Sequence, residues 1–268
     1  MAKENPATRL AMDSARTRGP GARIQAWLVH GYTALGLVIA GFMAVVIVQG
    51  TDLAFRGAFL LMGLTMIVDG TDGWLARRVR VEEVIPWFDG RRLDDIVDFH
   101  TYTSLPLFLL WRAGVLEGSL AWFLLVPLLA SAYGFSRVDA KTDDGYFLGF
   151  PSYWNVVAFY LYFLVPSQAL TVTLLLALSV LTVVPSRYLA PTRPGPLSLV
   201  SNLLGGIWGL LVIAFLVGFL EGRAWVWGTL FFPAYYLGVS WGLSLVRWRR
   251  RGGAAQSATS PKRGRNAI

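Results

Sequence analysis

No cysteine occurs in the 268 residues, and histidine occurs only twice, as His30 and His100. Disulfides, thiolate metal sites and thiol nucleophiles are therefore excluded, and no close histidine pair is available to a zinc site. Any chemistry must use oxygen or nitrogen groups. Charged residues make up only 15% of the chain against 55% hydrophobic residues, and the mean hydropathy is positive. Soluble folds do not share that balance. Neither an internal repeat nor a soluble domain is visible. The first 25 residues are polar and hold Pro6, Gly19, Pro20 and Gly21, so they read as a basic tail rather than a cleavable signal with a short apolar centre.

What the chain has in quantity is apolar sequence. A transmembrane helix needs about 20 mostly apolar residues. Roughly eight stretches qualify, at 26–49, 54–75, 94–112, 118–135, 151–166, 168–185, 199–220 and 225–246. The expected fold is all-α, a polytopic membrane bundle of about eight helices. Only Pro166, Ser167 and their neighbours separate the fifth stretch from the sixth, which suits a tight helical hairpin or one long, broken helix; six or seven spans stay open.

Positive residues favour the cytoplasmic side of short loops. With eight spans, Lys3, Arg9, Arg16, Arg18, Arg23, Arg77, Arg78, Arg80, Arg91, Arg92, Arg137, Lys141, Arg187, Arg193 and the basic residues from Arg247 to Arg265 fall on one side. Arg56, Arg112 and Arg223 fall on the other. Both termini are then cytoplasmic, and the net charge of +8 reflects topology rather than nucleic-acid binding. Residues 26–246 form one transmembrane domain, with 1–25 and 247–268 as basic cytoplasmic tails. The second tail has almost no bulky apolar residues and reads as disordered. Its arginines can also attract anionic lipid headgroups, at about 1 kcal/mol per residue near the surface.

Against this background the segment from Val68 to Tyr102, "VDGTDGWLARRVRVEEVIPWFDGRRLDDIVDFHTY", carries eight of the sixteen acidic residues. At 100° per residue Asp69, Asp72, Gly73 and Ala76 fall within about a 100° arc of one helix. Asp94 and Asp98, four apart, share a face of the next. Four carboxylates can thus converge between neighbouring helices, where like charges at membrane depth are costly unless cations neutralise them. All-oxygen ligation suits Mg²⁺ or Mn²⁺, and two ions would balance four carboxylates. Such a site serves phosphoryl-group chemistry by clamping a phosphate and stabilising the leaving oxygen. Gly73 and Ala76 would let a nucleotide lie against bare backbone, with Arg77 meeting a phosphate. On the residues alone, a proton or ion pathway and plain interfacial charge remain the alternatives. Interfacial placement suits Glu82, Glu83, Asp89, Asp94 and Asp95, but it suits Asp69 badly, since a helix C-terminus disfavours negative charge.

The ordered residues Asp69, Asp72, Gly73, Ala76, Arg77, Gly90, Asp94 and Asp98 resemble the signature of the CDP-alcohol phosphatidyltransferase family. The spacer from Arg78 to Asp89 has twelve residues, longer than in most members. That length, with "GFPSYWNVVAFYL", looks like the bacterial phosphatidylcholine synthase subgroup. The resemblance spans about Val29 to Val246. It implies transfer of a phosphatidyl group from CDP-diacylglycerol to an alcohol with release of CMP, assisted by a divalent cation, in a bacterial inner membrane near its cytoplasmic face. By that resemblance Asp69, Asp72, Asp94 and Asp98 hold the metal, Asp98 is also the base that takes the acceptor's proton, and Asp72, Gly73, Ala76, Arg77 and Gly90 line the CDP pocket. In the subgroup the acceptor is choline, and the family often forms homodimers. Serine, glycerol phosphate or inositol phosphate are the alternative acceptors, and a cation or choline transporter is the competing class.

Choline keeps its positive charge and offers no N–H donor, so aromatic faces should recognise it. Tyr153 and Trp154 are the candidates, at the head of the fifth stretch with Phe159 and Tyr160, while Trp87, Phe88 and Tyr102 flank the acidic segment. His100 points about 200° away from Asp98 and reads as a packed residue. His30 and Thr33 suit capping or substrate contact, Asn155 needs a partner, and Gly205 and Gly209 allow close helix contact.

Overall fold

The computed structural model describes residues 19–140, 146–189 and 198–259, with 246–259 described as helix only. The tail before Gly19, Lys141, the connection around Arg193 and the residues after Thr259 lie outside the described residues.

Helix α1, Pro20–Gln49, starts with proline at its first position, where the missing N–H costs nothing. Part of the expected tail is therefore helical. A short turn leads into α2, Asp52–Val79, capped by Thr51, whose Oγ1 accepts from the Ala54 N–H at 3.2 Å. α1 and α2 form the most extensively packed pair. The short helix α3, Val81–Val84, precedes α4, Gly90–Asp98. A π-helical turn, Phe99–Ser104, joins α4 to α5, Leu105–Arg112. Pro106 explains that turn: it has no N–H for the Tyr102 carbonyl four residues back, and its ring crowds that carbonyl.

A 3₁₀ turn, Gly118–Leu124, runs into α6, Leu125–Ser136. Then come strand β1, Tyr146–Leu148, helices α7, Trp154–Leu164, and α8, Gln168–Val183, and strand β2, Arg187–Leu189. α9, Ser198–Leu216, α10, Arg223–Thr229, and α11, Phe231–Thr259, complete the described chain. α11 continues as helix into the segment expected to be disordered. Among the described residues four helical stretches are long and apolar enough to cross a membrane: Pro20–Gln49, Asp52–Val79, Gly118–Ser136 and Ser198–Leu216.

α7 ends at Val165, a β-branched residue held at φ 49°, a backbone conformation that only surrounding packing can enforce. Ser167 then caps α8 by accepting from the Leu170 N–H at 3.3 Å. The two helices pack chiefly on different neighbours, α7 on α5 and α10, and α8 on α6. They are separate helices rather than a tight hairpin.

The two strands were not expected in an all-α chain. β1 and β2 pair antiparallel, with Phe147 opposite Tyr188. Such a short ribbon is marginal alone, and α11 completes it. Tyr236, Ser240 and Ser244, spaced by four along α11, share one face. Tyr236 donates to the Leu189 carbonyl at 2.9 Å, Ser240 accepts from the Leu189 N–H at 3.2 Å, and Ser244 exchanges bonds with the Arg187 N–H and C=O at 3.0 and 2.8 Å. A helix face thus stands where a third strand would. Gly149, at φ 90°, lies so close to the Thr182 carbonyl that a side chain would overlap it, and Phe150 N–H donates to Leu181 O at 2.8 Å. This docks the stretch before α7 onto the end of α8.

At the end of α2 remote from the acidic segment, two of the arginines expected on the minority side satisfy helix C-termini. Arg56 Nη1 donates to the carbonyls of Phe215 at 2.9 Å and Leu216 at 3.4 Å, and its guanidinium lies over the Phe215 ring at 5.0 Å. Arg112 Nε donates to Val48 O at 3.2 Å. Arg56→Met keeps the apolar stem and removes the donors. It should lower the unfolding temperature in detergent, corresponding to a loss on the order of 1–3 kcal/mol. An unchanged transition would remove Arg56 from the contacts that hold the fold.

Candidate active site

The acidic segment folds back on itself, and Asp69, Asp94 and Asp98 meet. One carboxylate oxygen from each lies within 4.8 Å of the other two, and all three residues are half-buried. Two helices supply them, Asp69 near the C-terminal end of α2 and Asp94 and Asp98 from successive turns of α4. α4 is held at this angle by Val97, which enters a notch on α1 where Gly36 has no side chain to obstruct it. Tyr102, in the π turn, donates its hydroxyl to Asp69 Oδ2 at 2.7 Å.

Asp72 is the fourth expected carboxylate. It lies outside the three-residue group and faces α1, where Thr33 Oγ1 donates to its Oδ2 at 2.8 Å. It is only 6% exposed. Helix geometry gives the reason: three residues at 100° leave Asp69 and Asp72 about 60° apart, enough to direct them to different neighbours. Three carboxylates with neither sulfur nor imidazole among them make an all-oxygen group that could hold a hard divalent cation such as Mg²⁺ or Mn²⁺.

The remaining signature residues surround this group. Gly73 lies beneath the Arg77 head: a Cβ there would sit 3.3 Å from an Arg77 guanidinium nitrogen. Arg77 itself is exposed. Ala76 packs against a small core of Ala26, Val29, Val81, Val84 and Ile85. This core explains the long spacer, because Val81, Val84 and Ile85 recur at helical spacing and fill the space beneath α1. Gly90 begins α4 against the His30 imidazole, with a Cβ placed there only 2.6 Å from His30 Cε1. His30 is buried, its ring centroid 4.4 Å from that of Phe88. It does not cap a helix end. Asp89 caps α4 by accepting from the Arg92 N–H at 3.2 Å, and Glu82 pairs with Arg91 at 3.1 Å on the surface. Those two acids thus serve a helix cap and a surface ion pair.

The aromatic candidates divide. Trp154 is fully buried, gives its indole N–H to Ser131 Oγ at 2.7 Å and packs on Phe150. No face of it is open to a cation, which corrects the sequence expectation. Its neighbour Tyr153 turns toward the site, its ring 5.9 Å from those of both Tyr102 and Tyr236, within electrostatic reach of Asp69 and Asp98. Tyr236 was missed, since nothing local distinguishes it from the other aromatics of the last apolar stretch. Its signal was the four-residue spacing to Ser240 and Ser244. His100 is exposed rather than packed. Asn155 is buried, its side-chain oxygen accepting from the Val156 N–H at 2.9 Å. Gly205 seats the Phe232 ring within the chain, whereas Gly209 has no close neighbour.

The chain is thus a helical membrane protein with an all-oxygen acidic group between two of its helices that could hold a divalent cation. No family model matches the chain. Among curated proteins, it is 36% identical over 228 residues to the phosphatidylcholine synthase of Legionella pneumophila, covering 80% of this chain and 87% of that protein. The phosphatidylcholine synthase of Bradyrhizobium diazoefficiens is 35% identical over 239 residues, 89% of this chain and 87% of its own. That of Agrobacterium fabrum is 36% identical over 192 residues, 71% and 78% respectively. The chain belongs to the phosphatidylcholine synthase family.

The Gly90 contact gives a test of how α4 is seated. Gly90→Ala should lower both unfolding temperature and turnover, and adding His30→Ala should restore part of each, with a coupling of about 0.5–3 kcal/mol in the double-mutant cycle. Strictly additive losses would show that His30 is not what keeps position 90 bare.

Proposed function

We propose that this protein makes phosphatidylcholine by transferring the phosphatidyl group of CDP-diacylglycerol to choline, releasing CMP, with Mn²⁺ or Mg²⁺ as cofactor and two ions as the expected complement. The observation that carries the reading is the carboxylate group of Asp69, Asp94 and Asp98 in a chain related over most of its length to phosphatidylcholine synthases. Asp72 completes the proposed ligand set from its place beside Thr33. A cation bound there supplies positive charge against the diphosphate and the departing CMP oxygen.

The protein's own groups do the rest. Asp98 accepts the proton of the choline hydroxyl as its oxygen forms the new bond to the lipid-side phosphorus, and the bond from that phosphorus to the CMP oxygen breaks. A neutral hydroxyl is a poor nucleophile until a base takes that proton. Gly73, Ala76 and Gly90 keep the nucleotide side free of bulk, and Arg77, above Gly73, meets a phosphate. Tyr153 presents an aromatic face to the trimethylammonium group.

The proposal includes eight spans with both termini cytoplasmic and the active site near the cytoplasmic face of a bacterial inner membrane. It is supported by the match between the eight apolar stretches and the helical segments, and by the one-sided distribution of Lys and Arg. A homodimer is carried on the family resemblance alone.

Purified protein in detergent with CDP-diacylglycerol and Mn²⁺ should release CMP and form phosphatidylcholine when choline is added, and should stop when a chelator is added. Asp98→Asn should reduce turnover by about two orders of magnitude or more. CMP release with serine, glycerol 3-phosphate or inositol phosphate instead of choline would reassign the acceptor. No CMP with any acceptor would reject the transferase reading in favour of a transporter.

A further inference from the structure

The two acidic residues of α2 each receive a hydroxyl hydrogen bond from a different neighbour. Tyr102 reaches Asp69 from the π turn at 2.7 Å, and Thr33 reaches Asp72 from α1 at 2.8 Å. Both donors are buried, Tyr102 at 6% exposure and Thr33 at 7%. We propose that Tyr102 and Thr33 are positioning residues for metal binding, fixing the carboxylates of Asp69 and Asp72 in the orientations in which they meet the cation. The inference rests on the metal reading of the site given above.

A carboxylate on a helix turns about its side-chain bonds, and an ion that needs its ligands at set directions binds weakly when they must be ordered first. A hydroxyl donor occupies one lone-pair direction of one oxygen, orients the group and leaves further lone pairs for an ion. Hydrogen-bond partners of metal ligands act in this way, and their removal typically costs about 10–100-fold in metal affinity.

Each donor is itself held. Tyr102 lies in the turn that Pro106 forces open, and its ring packs on Tyr153. Tyr153 packs edge-on against the ring of Tyr236, 5.9 Å away, and Tyr236 donates to the Leu189 carbonyl of β2 at 2.9 Å. The position of the Tyr102 hydroxyl is therefore set by packing that extends to the ribbon. Thr33 lies one helical turn from His30 on α1, and its neighbour Tyr32 bonds Thr71 at 2.8 Å, so α1 and α2 are in fixed register beside Asp72.

Mn²⁺ binding to the purified full-length protein, followed by electron paramagnetic resonance of the free ion without lipid substrate, tests the proposal. Tyr102→Phe and Thr33→Val each should raise the dissociation constant about 10-fold or more, while Thr33→Ser, which retains the hydroxyl, should bind within about 2-fold of the unaltered protein. Tyr160→Phe removes a tyrosine hydroxyl bonded to Thr229 and Trp208, away from the acidic group. It should leave Mn²⁺ binding unchanged even if it lowers the unfolding temperature. Unaltered affinity in both Tyr102→Phe and Thr33→Val, or equal losses in Thr33→Ser and Thr33→Val, would overturn the positioning role and leave the metal reading intact. Absence of Mn²⁺ binding in the unaltered protein would overturn the metal reading itself. The threonine pair keeps the test open should Tyr102→Phe fail to fold.

Discussion

Three carboxylates with oxygens inside a 4.8 Å circle, in a chain otherwise built of apolar helices, are the constraint on which the rest of the structure depends. Like charges that close repel, and burial deprives them of the water that would screen them. Hydrophobic packing alone would drive the helices together and the carboxylates apart. The structure meets this by seating α4 on α1 at two points where α1 or α4 has no side chain, Gly36 beneath Val97 and Gly90 above His30. The close fit to α1 fixes where Asp94 and Asp98 point, and the hydroxyl of Tyr102 shares the charge of Asp69. The remaining repulsion is what a divalent cation held in that group would relieve.

Polar interactions elsewhere follow from the same apolar surroundings. A helix end in or near lipid has carbonyls that water reaches poorly, and an unsatisfied one costs several kcal/mol. At the end of α2 away from the acidic group, Arg56 and Arg112 serve those carbonyls for α9 and α1. At the β1–β2 ribbon no third strand pairs with β2, and Ser240, Ser244 and Tyr236 supply partners for its backbone. Arginines that a charge count treats only as exceptions to topology are, in the folded chain, helix caps.

The helices were legible because their signal is long. Twenty apolar residues in a row have few other interpretations, and the helices begin or end within several residues of the expected limits at most boundaries. The acidic residues were legible because their spacing places them on helix faces without reference to the rest of the chain. What was not legible depends on partners distant in sequence. Asp72 shares a helix face with Asp69 on paper, but Thr33, 39 residues earlier, decides which way it is held. Trp154 sits beside Tyr153 in the chain, yet Ser131 takes its indole N–H and the core takes its ring. The ribbon has only three residues per strand, too few to show a period of two, and its backbone partners come from helix residues 47 to 57 positions further on.

The spacer between the two halves of the signature shows how these levels join. Read as a string, its twelve residues are a mixed loop with two arginines, two glutamates and an aspartate among apolar residues. Folded, Arg80 ends α2 in a left-handed conformation, and the next turn places Val81, Val84 and Ile85 beneath α1, where all three are almost completely buried. That plug supports the segment of α1 that carries His30, and His30 in turn faces Gly90 at the first position of α4. The distance between the acidic pairs is therefore not set by the spacer acting as a tether. It is set by α1, against which both halves are packed. A spacer too short to form the plug would still connect the two helices, but it would leave α1 without its support and the carboxylates of α4 without a fixed direction.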